Sequence, residues 1–142
     1  MTTEWFKVVV VGECLVGKTW MVYTQKNGKK MSKTAGPSKA AAKTSIQLDM
    51  QAANCKVTFD VYDIPGKEDM APLQSMYIRD SHACIVLYDI TDANSLRSAE
   101  KWIEVVKDAG PSEIVMVMAG NKMDTNQKKH KVQLSDAMSV AR

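Results

Sequence analysis

The sequence predicts an α/β fold, a single domain over residues 1–142, with a mostly parallel sheet, one antiparallel strand and helices on both faces. Three observations predict this. Apolar, β-branched runs of strand length alternate along the chain with segments of helical periodicity. A glycine-rich turn separates the first apolar run from the first helix. Two neighbouring segments alternate apolar and polar residues across a short turn, which predicts the antiparallel pair.

The first half of the chain is predicted to contain three strands and one helix. In order, these are a buried strand at 5–11, a helix at about 18–25, and antiparallel strands at 45–50 and 56–62. Asn27 and Gly28 are predicted to end the helix. Residues 26–42 lack periodicity, are rich in lysine and contain Gly36 and Pro37, which predicts a long mobile loop.

The second half continues the alternation of strands and helices. The predicted elements are a short helix at 69–79, a buried strand at 83–88, a helix at 95–108, a buried strand at 113–119 and a last helix that starts near 135. The helix at 95–108 is the clearest of these, because Leu96, Ala99, Trp102 and Val106 recur at helical spacing.

Composition excludes several classes of function. The 142 residues are 45% hydrophobic and 25% charged, which is typical of a globular domain, and a net charge of +3 is too small to indicate nucleic-acid binding. Cys14, Cys55 and Cys84 have no zinc-like spacing and are expected to be reduced thiols in the cytoplasm. No apolar run reaches the length of a membrane span, and no signal peptide is expected.

The glycine-rich turn matches G-x-x-x-x-G-K-[ST], a pattern of polyphosphate-binding loops. Its residues are Gly12, Glu13, Cys14, Leu15, Val16, Gly17, Lys18 and Thr19. A turn of this kind directs backbone N–H groups at an anion, at the positive end of a helix dipole. Lys18 can reach the β- and γ-phosphates, and the Thr19 hydroxyl can bind Mg²⁺. Trp20 is predicted to lie beside the α-phosphate. A chance glycine turn is disfavoured, because a strand precedes the turn and a helix follows it.

Asp63 and Gly66 form a D-x-x-G segment directly after a predicted strand. The Asp63 carboxylate can hold Mg²⁺ through water, and Gly66 lets a backbone N–H approach the γ-phosphate. The pattern is common by chance. Its position, one hairpin after the phosphate loop, makes the interpretation stronger.

The segment Asn121-Lys122-Met123-Asp124 matches N-K-x-D and follows a predicted strand. Asp124 can accept hydrogen bonds from the N1–H and N2–H₂ groups of guanine, which adenine lacks. The Asn121 amide can bridge the base and the phosphate loop, and the Lys122 stem can cover the base. An ordinary polar turn is the alternative. Together with the phosphate loop, this segment predicts a guanine-nucleotide site.

These motifs resemble those of the Ras superfamily of small GTPases, and of its Rab branch in particular. The matching segments are 12–19, 62–68, 76–80, 85–91, Ser95-Leu96 with Trp102, and 120–124. The resemblance implies a P-loop NTPase fold and a GTP/GDP switch with Mg²⁺ that acts in vesicle-mediated transport. It implies effector or regulatory proteins that bind through 27–44 and 63–80. It also implies that the protein is located in the cytoplasm, at the periphery of endomembranes.

The chain departs from the family at catalytic and metal-binding positions. Lys67 replaces the glutamine that orients the attacking water, and a charged lysine cannot accept a hydrogen bond from water. GTP hydrolysis is therefore expected to be slow or impaired. The family's metal-binding threonine of the first switch corresponds best to Thr34, with Thr44 as the runner-up. Metal binding is thus predicted for Thr19, Thr34 and Asp63.

Compared with the family, the sequence ends before the last strand, a guanine-contacting loop and the closing helix. We expect one sheet edge without its usual cover, either because the chain is a fragment or because a partner or a second copy covers it. No stable membrane anchor is expected within this sequence.

Two other functions remain open at this stage. One is a non-catalytic pseudo-GTPase that acts as a protein-interaction module, which Lys67 and the missing guanine-contacting loop favour. The other is a P-loop kinase or ATPase, which the segment from Asn121 to Asp124 disfavours.

Overall fold

The computed structural model describes residues 1–29, 40–67 and 71–142. The strands are β1 (Thr2–Val11), β2 (Ala42–Met50), β3 (Cys55–Asp63), β4 (Ala83–Asp89) and β5 (Val115–Asn121). The helices are α1 (Lys18–Asn27), α2 (Ala71–Ile78), α3 (Ala93–Ala109) and α4 (Leu134–Val140), with short 3₁₀ turns at Gln51–Ala53 and Gln127–Lys129. The predicted order of strands and helices is confirmed.

The five strands form one sheet in the order β2-β3-β1-β4-β5. β2 pairs with β3 antiparallel, while β1 pairs with β3 and β4, and β4 with β5, all parallel. The predicted mostly parallel sheet is therefore confirmed. Because the parallel strands run in one direction, their carboxyl ends lie at the same edge. Val10 is in register with Asp63, and Asp89 with Asn121, so the candidate motifs converge there.

Helices cover both faces of the sheet. On one face Val8 and Val10 pack with Val22 of α1. On the other face Val9 and Val11 join a larger core with buried residues of α3. The second half of β1 is buried on both sides, which explains why its sequence is continuously apolar rather than alternating.

Two expectations of burial were wrong in part. Trp5 was predicted inside a buried strand, yet it is 57% exposed, because β1 begins at Thr2 and its first residues extend past the buried core. The predicted buried strand at 113–119 is β5, which lies at the edge of the described sheet, with Val115 and Val117 60% and 53% exposed. Met116 and Met118 pack against the core from the opposite face of the same strand. An apolar run therefore did not imply burial on both faces.

The long loop predicted at 26–42 falls mostly outside the described residues. α1 continues to Asn27, and Gly28 then takes a left-handed φ of 66° and donates its N–H to the Thr24 carbonyl, which ends the helix as predicted. All three cysteines are free. Within the described ranges, no helix combines the length and the apolar character needed to cross a bilayer.

Candidate nucleotide-binding site

The phosphate loop joins β1 to α1 with a backbone that requires glycine at two positions. Gly12 has a φ of 150° and Gly17 a φ of 99°. A Cβ atom on Gly12 would lie 2.3 Å from the Leu87 carbonyl oxygen, and one on Gly17 would lie 2.3 Å from Asn121 Nδ2. The loop is therefore packed closely against β4 on one side and the N-K-x-D segment on the other.

Lys18 is folded onto the phosphate loop at the start of α1. Its side chain is buried, and Nζ donates to the carbonyl oxygens of Gly12 at 3.0 Å and Glu13 at 2.9 Å. Burial lowers the pKa of Lys18, while the nearby Asp63 carboxylate opposes that shift. The ammonium group thus lies against the start of the loop, where its charge would stabilise a bound anion.

Thr19 and Asp63 meet beside Lys18 and form the oxygen-rich part of the site. The Thr19 hydroxyl donates to Asp63 Oδ2, although the two residues are 44 positions apart. The other oxygen, Asp63 Oδ1, is buried without a hydrogen-bond partner among the described residues. Burial raises the pKa of Asp63, against the hydrogen bond from Thr19 and the charge of Lys18.

An unpartnered buried carboxylate oxygen beside a hydroxyl fits a hard divalent cation, because such ions bind oxygen ligands. Within the described residues, no group of three or more His, Cys, Asp or Glu side chains could hold a metal by itself. The Thr19–Asp63 pair therefore fits an ion that takes its other ligands from water and phosphate, as Mg²⁺ does. Thr34, predicted as a further ligand, lies outside the described residues. The runner-up, Thr44, lies in β2 opposite Val61.

The N-K-x-D segment contacts the phosphate loop directly. Asn121 Nδ2 donates to the Val16 carbonyl at 2.9 Å, and Lys122 Nζ donates to the Leu15 carbonyl at 2.8 Å. These contacts join residues 105 and 107 positions apart in the chain. Asp124 follows on the same turn and is exposed. The two sequence motifs are thus brought together at one edge of the sheet.

Asp89, at the end of β4, supports Lys122 and was not singled out as a site residue. Its Oδ2 forms an ion pair with Lys122 Nζ at 2.7 Å, and its Oδ1 accepts from the Thr91 backbone N–H at 2.8 Å and hydroxyl at 2.6 Å. Burial acts to raise the pKa of Asp89, but the hydrogen bonds from Lys122 and Thr91 outweigh it and hold the pKa below its usual range. The pairing of β4 with β5 places Asp89 opposite Asn121, a register that no local sequence pattern indicates.

Glu13 connects the phosphate loop to α3, a link that sequence reasoning also missed. Its Oε1 accepts from the Cys14 backbone N–H at 3.1 Å, and its Oε2 accepts from the Ser98 hydroxyl. Glu13 is half-buried between these partners. The loop is therefore held by α3 as well as by β4 and the N-K-x-D segment.

The D-x-x-G segment lies against the phosphate loop. A Cβ atom on Gly66 would lie 2.4 Å from the Gly12 carbonyl oxygen and 2.7 Å from the Cys14 nitrogen, so only glycine permits this approach. The Lys67 side chain is exposed. Trp20 is half-buried in α1, next to Thr19. Apart from Thr34, the predicted site residues therefore lie on elements that meet at one edge of the sheet.

Comparison with known proteins gives a consistent result. The family model described as "Ras family" matches residues 7–142. Curated relatives include the GTP-binding protein ypt5 of Schizosaccharomyces pombe, 33% identical over 136 residues, which are 95% of this chain and 63% of ypt5. The Ras-related protein Rab-19 of Mus musculus is 32% identical over 139 residues, with 96% and 61% covered. Rab-21 of Bos taurus is 32% identical over 136 residues, with 96% and 60% covered. The chain thus spans about three fifths of the length of these relatives.

Proposed function

The chain belongs to the Ras family, and on that premise we propose that it is a guanine-nucleotide switch of the Rab type in vesicle trafficking that hydrolyses GTP slowly. The observation that carries this proposal is the direct contact between the two motif loops. Asn121 and Lys122 donate to the phosphate-loop carbonyls of Val16 and Leu15. Groups suited to a polyphosphate and groups suited to guanine therefore lie on two loops in direct contact, as the binding of a single nucleotide requires.

At the phosphate end, the chain offers a buried ammonium and the N-terminus of a ten-residue helix. We propose that Lys18 binds the β- and γ-phosphates, with the backbone N–H groups from Leu15 to Trp20 around them. A bound anion would compensate the desolvation that lowers the pKa of Lys18 and would return that pKa towards its usual range. Phosphate and protein are thus electrostatically complementary at this end.

The cation site is proposed to consist of Thr19 and Asp63, with Thr34 supplied from outside the described residues. Mg²⁺ bound there would neutralise charge on the β- and γ-phosphates. Asp63 contributes through the oxygen that has no hydrogen-bond partner among the described residues, so no existing hydrogen bond needs to break at that atom. Thr19 can turn its hydroxyl from Asp63 Oδ2 towards the ion.

Base selection is proposed to depend on Asp124. Its carboxylate would accept from the N1–H and N2–H₂ groups of guanine. Adenine lacks both of these donors, and sites built on such hydrogen bonds reject the wrong ligand by about 10⁴-fold. Asn121 is already fixed to the phosphate loop, and the Lys122 stem, held by Asp89, can lie across the base. Recognition therefore requires little rearrangement of these side chains.

Slow hydrolysis is proposed from Lys67. Phosphoryl transfer to water requires a group that orients the nucleophile, and glutamine does this by both donating and accepting hydrogen bonds. A lysine ammonium only donates, so it cannot accept a hydrogen bond from the attacking water. An arginine finger from an activating protein is worth about 10³–10⁵ in related systems. Without the glutamine, its effect on this chain is expected to be reduced.

The experiment that tests the function is to identify the nucleotide that the protein carries. Purified protein is denatured and the released small molecules are separated by chromatography, with Asp124→Ala prepared in parallel as the matched control. The proposal expects GDP or GTP in near-stoichiometric amount from the wild type and much less from the variant. Finding neither, and no uptake when either is added with Mg²⁺, would contradict it.

Lys67 also supports a second function, a non-catalytic pseudo-GTPase that acts as a protein-interaction module. Under that alternative the chain holds GTP or GDP permanently, or holds neither, whereas the first proposal expects slow decay of bound GTP to GDP. Single-turnover measurement of bound GTP separates the two. If ATP competes with GTP equally well, both are wrong and a P-loop kinase or ATPase becomes the better explanation.

Binding partners are proposed to be effector or regulatory proteins that contact residues 27–44 and 63–80, at the periphery of endomembranes. Parts of both segments, 30–39 and 68–70, lie outside the described residues. The lysine-rich stretch before β2 suits an acidic protein surface or a phospholipid head group. Binding to vesicles with and without anionic lipid distinguishes these two.

A further inference from the structure

The turn that contains Asp124 is closed by hydrogen bonds from the residue that follows it. The Thr125 backbone N–H donates to the Lys122 carbonyl oxygen at 3.1 Å, and the Thr125 hydroxyl donates to the same oxygen at 2.6 Å. Lys122 has a φ of 70°, in the left-handed region that residues with a Cβ atom seldom adopt. Two hydrogen bonds to one carbonyl therefore help to stabilise a strained turn, and Asp124 lies within that turn.

His130 also contacts this turn, from five positions further along the chain than Thr125. Its Nε2 lies 3.1 Å from the Thr125 carbonyl oxygen and 3.1 Å from Thr125 Oγ1. The single hydrogen of the Thr125 hydroxyl is already donated to Lys122, so both oxygens near Nε2 act as acceptors. Nε2 must therefore carry a hydrogen, as it does in one neutral tautomer and in the imidazolium ion. His130 thus donates to both oxygens of Thr125.

The backbone on either side of His130 is anchored to the rest of the domain. The His130 N–H donates to the Gln127 carbonyl at 3.0 Å, within the second 3₁₀ turn. The backbone N–H groups of Lys131 and Val132 both donate to the carbonyl oxygen of Ile90, at 2.8 and 3.1 Å. Val132 is buried in the larger core, and Ile90 directly follows β4. The ring of His130 therefore connects the turn to a fixed part of the sheet.

The turn is supported at both of its ends by separate contacts. At its start, Lys122 Nζ lies 2.7 Å from Asp89 Oδ2 and donates to a phosphate-loop carbonyl at 2.8 Å. At its end, Thr125 accepts from His130. Loss of the second contact would remove one of these two supports and let Asp124 move with the turn. Such movement matters, because hydrogen bonds weaken steeply when donor and acceptor are misaligned.

We infer that His130 is a positioning residue for base selection, which holds the turn through Thr125 so that the Asp124 carboxylate can meet both guanine donors at once. The inference rests on the proposed function, in which Asp124 accepts from the N1–H and N2–H₂ groups of guanine. His130 acts through Thr125 and does not itself contact the base. Its removal should therefore reduce discrimination between bases as well as affinity.

Base selection is measured as the ratio of the affinities for GDP and for inosine diphosphate, which lacks the N2 amino group. Each Kd is determined with Mg²⁺ by competition against a fluorescent GDP analogue. In the wild type, GDP should bind about tenfold or more tightly, because inosine loses one hydrogen bond to a carboxylate. In His130→Asn, whose shorter amide does not reach Thr125, we expect GDP affinity to fall about tenfold and the ratio about threefold. A merely structural role would weaken both nucleotides equally, and an unchanged ratio would overturn the inference.

The conservative variant His130→Gln tests for rescue. Its amide nitrogen has a reach similar to that of Nε2 and can donate to Thr125, so the ratio should stay within about twofold of the wild-type value. Gln127→Asn, at an exposed position of the same loop, is the matched control and should leave the ratio unchanged. If His130→Gln lowers the ratio as much as His130→Asn, or if Gln127→Asn does so, the inference is wrong.

The contact between His130 and Thr125 is tested without nucleotide. ¹⁵N NMR of the imidazole ring, assigned with His130→Gln, should show that the neutral ring carries its hydrogen on Nε2. The Nε2 signal should move in Thr125→Val, which keeps the shape of the side chain but removes its hydroxyl. A neutral ring with its hydrogen on Nδ1, or an unmoved Nε2 signal in Thr125→Val, would overturn the inference.

Failure of the proposed function gives a different result. If the wild type binds neither GDP nor inosine diphosphate, the proposed function is wrong and the role of His130 in base selection is wrong with it. The ring spectrum still decides whether His130 donates to the turn. Should His130→Asn fail to fold, Thr125→Val takes its place in the affinity measurements. A lower ratio in folded Thr125→Val supports the inference, and a ratio equal to that of the wild type contradicts it.

Discussion

The base end and the γ-phosphate end of the candidate site differ in how fully their polar side chains are hydrogen-bonded. At the base end, Asn121 and Lys122 each donate to a phosphate-loop carbonyl, and Asp89 forms an ion pair with Lys122. At the γ-phosphate end, Asp63 keeps an oxygen with no hydrogen-bond partner among the described residues. Lys67 there extends towards solvent.

From this difference we expect the base end to determine nucleotide affinity and the γ-phosphate end to determine the rate of hydrolysis. The base-end side chains that are proposed to hold the nucleotide already contact the phosphate-loop backbone or Asp89, so binding is expected to need little reorganisation there. Hydrolysis instead needs an ordered water, and the residue at position 67 cannot accept a hydrogen bond from it. We therefore expect mutations at Lys18 and at the base end to reduce affinity, and mutations at residue 67 to alter the rate of the chemical step.

The largest effect is expected from Lys18→Met, which removes the buried ammonium while keeping the length of the side chain. Loss of a charge-assisted contact to phosphate should weaken GDP binding by about 10²-fold or more. Isothermal titration calorimetry with GDP and Mg²⁺ measures this, and Lys101→Met, at an exposed site on α3, is the control. Affinity within twofold of the wild type would show that Lys18 does not bind the phosphates.

A smaller effect is expected from Asn121→Ala, which breaks the connection between the two loops. The Val16 carbonyl loses its donor, and the loops can separate. We expect GDP to dissociate about 10- to 100-fold faster, the usual range for one or two well-formed hydrogen bonds. Stopped-flow displacement of a fluorescent GDP analogue measures this rate, with the exposed Asn94→Ala as the control. An unchanged rate would mean that the base end is not preorganised by Asn121.

The substitution Lys67→Gln tests the γ-phosphate end of the candidate site. Restoring a side chain that can both donate to and accept from water should speed single-turnover GTP hydrolysis by about tenfold, which corresponds to about 1.4 kcal/mol of barrier. GDP affinity should stay unchanged, since Lys67 is exposed and outside the phosphate loop. If the wild type is as fast as the variant, the argument from Lys67 is wrong.

The smallest effect is a pH dependence of stability due to Asp89. Because the pKa of Asp89 lies below its usual range when folded, its stabilisation is fully present above the unfolded value of about 3.9 and is lost as the pH falls through the folded pKa. Urea unfolding midpoints at pH 7, 5, 4 and 3 should therefore fall more steeply for the wild type than for Asp89→Asn. One proton limits the slope to about 1.4 kcal/mol per pH unit. If the unfolding midpoints of the wild type and of Asp89→Asn fall equally with decreasing pH, the stabilising role of this ion pair is contradicted.

Residue patterns predicted most of the fold and the two motif loops. The strand–turn–helix around Lys18 and the apolar run before Asn121 are local signals, because periodicity and turn chemistry involve neighbouring residues. The antiparallel hairpin of β2 and β3 was predicted on the same grounds and is confirmed.

The contacts between distant residues that complete the site could not be predicted from local sequence patterns. Glu13 meets Ser98 across 85 positions, and Lys122 meets Asp89 only because β4 and β5 pair in one register. Gln74 reaches back nine positions to a buried carbonyl, which no helical periodicity indicates. The exposure of Val115 likewise depends on which strand forms the sheet edge, and an apolar sequence alone does not carry that information.

The most direct test of the central claim compares GDP with xanthosine diphosphate in the wild type and in Asp124→Asn. Xanthine carries a carbonyl where guanine carries its N2 amino group, so it repels a carboxylate and accepts from an amide. We predict that the wild type prefers GDP by about 10³-fold or more and that Asp124→Asn reverses the preference. Equal affinity of the wild type for both nucleotides, or the same preference in the variant, would contradict a guanine site between Lys18 and Asp124.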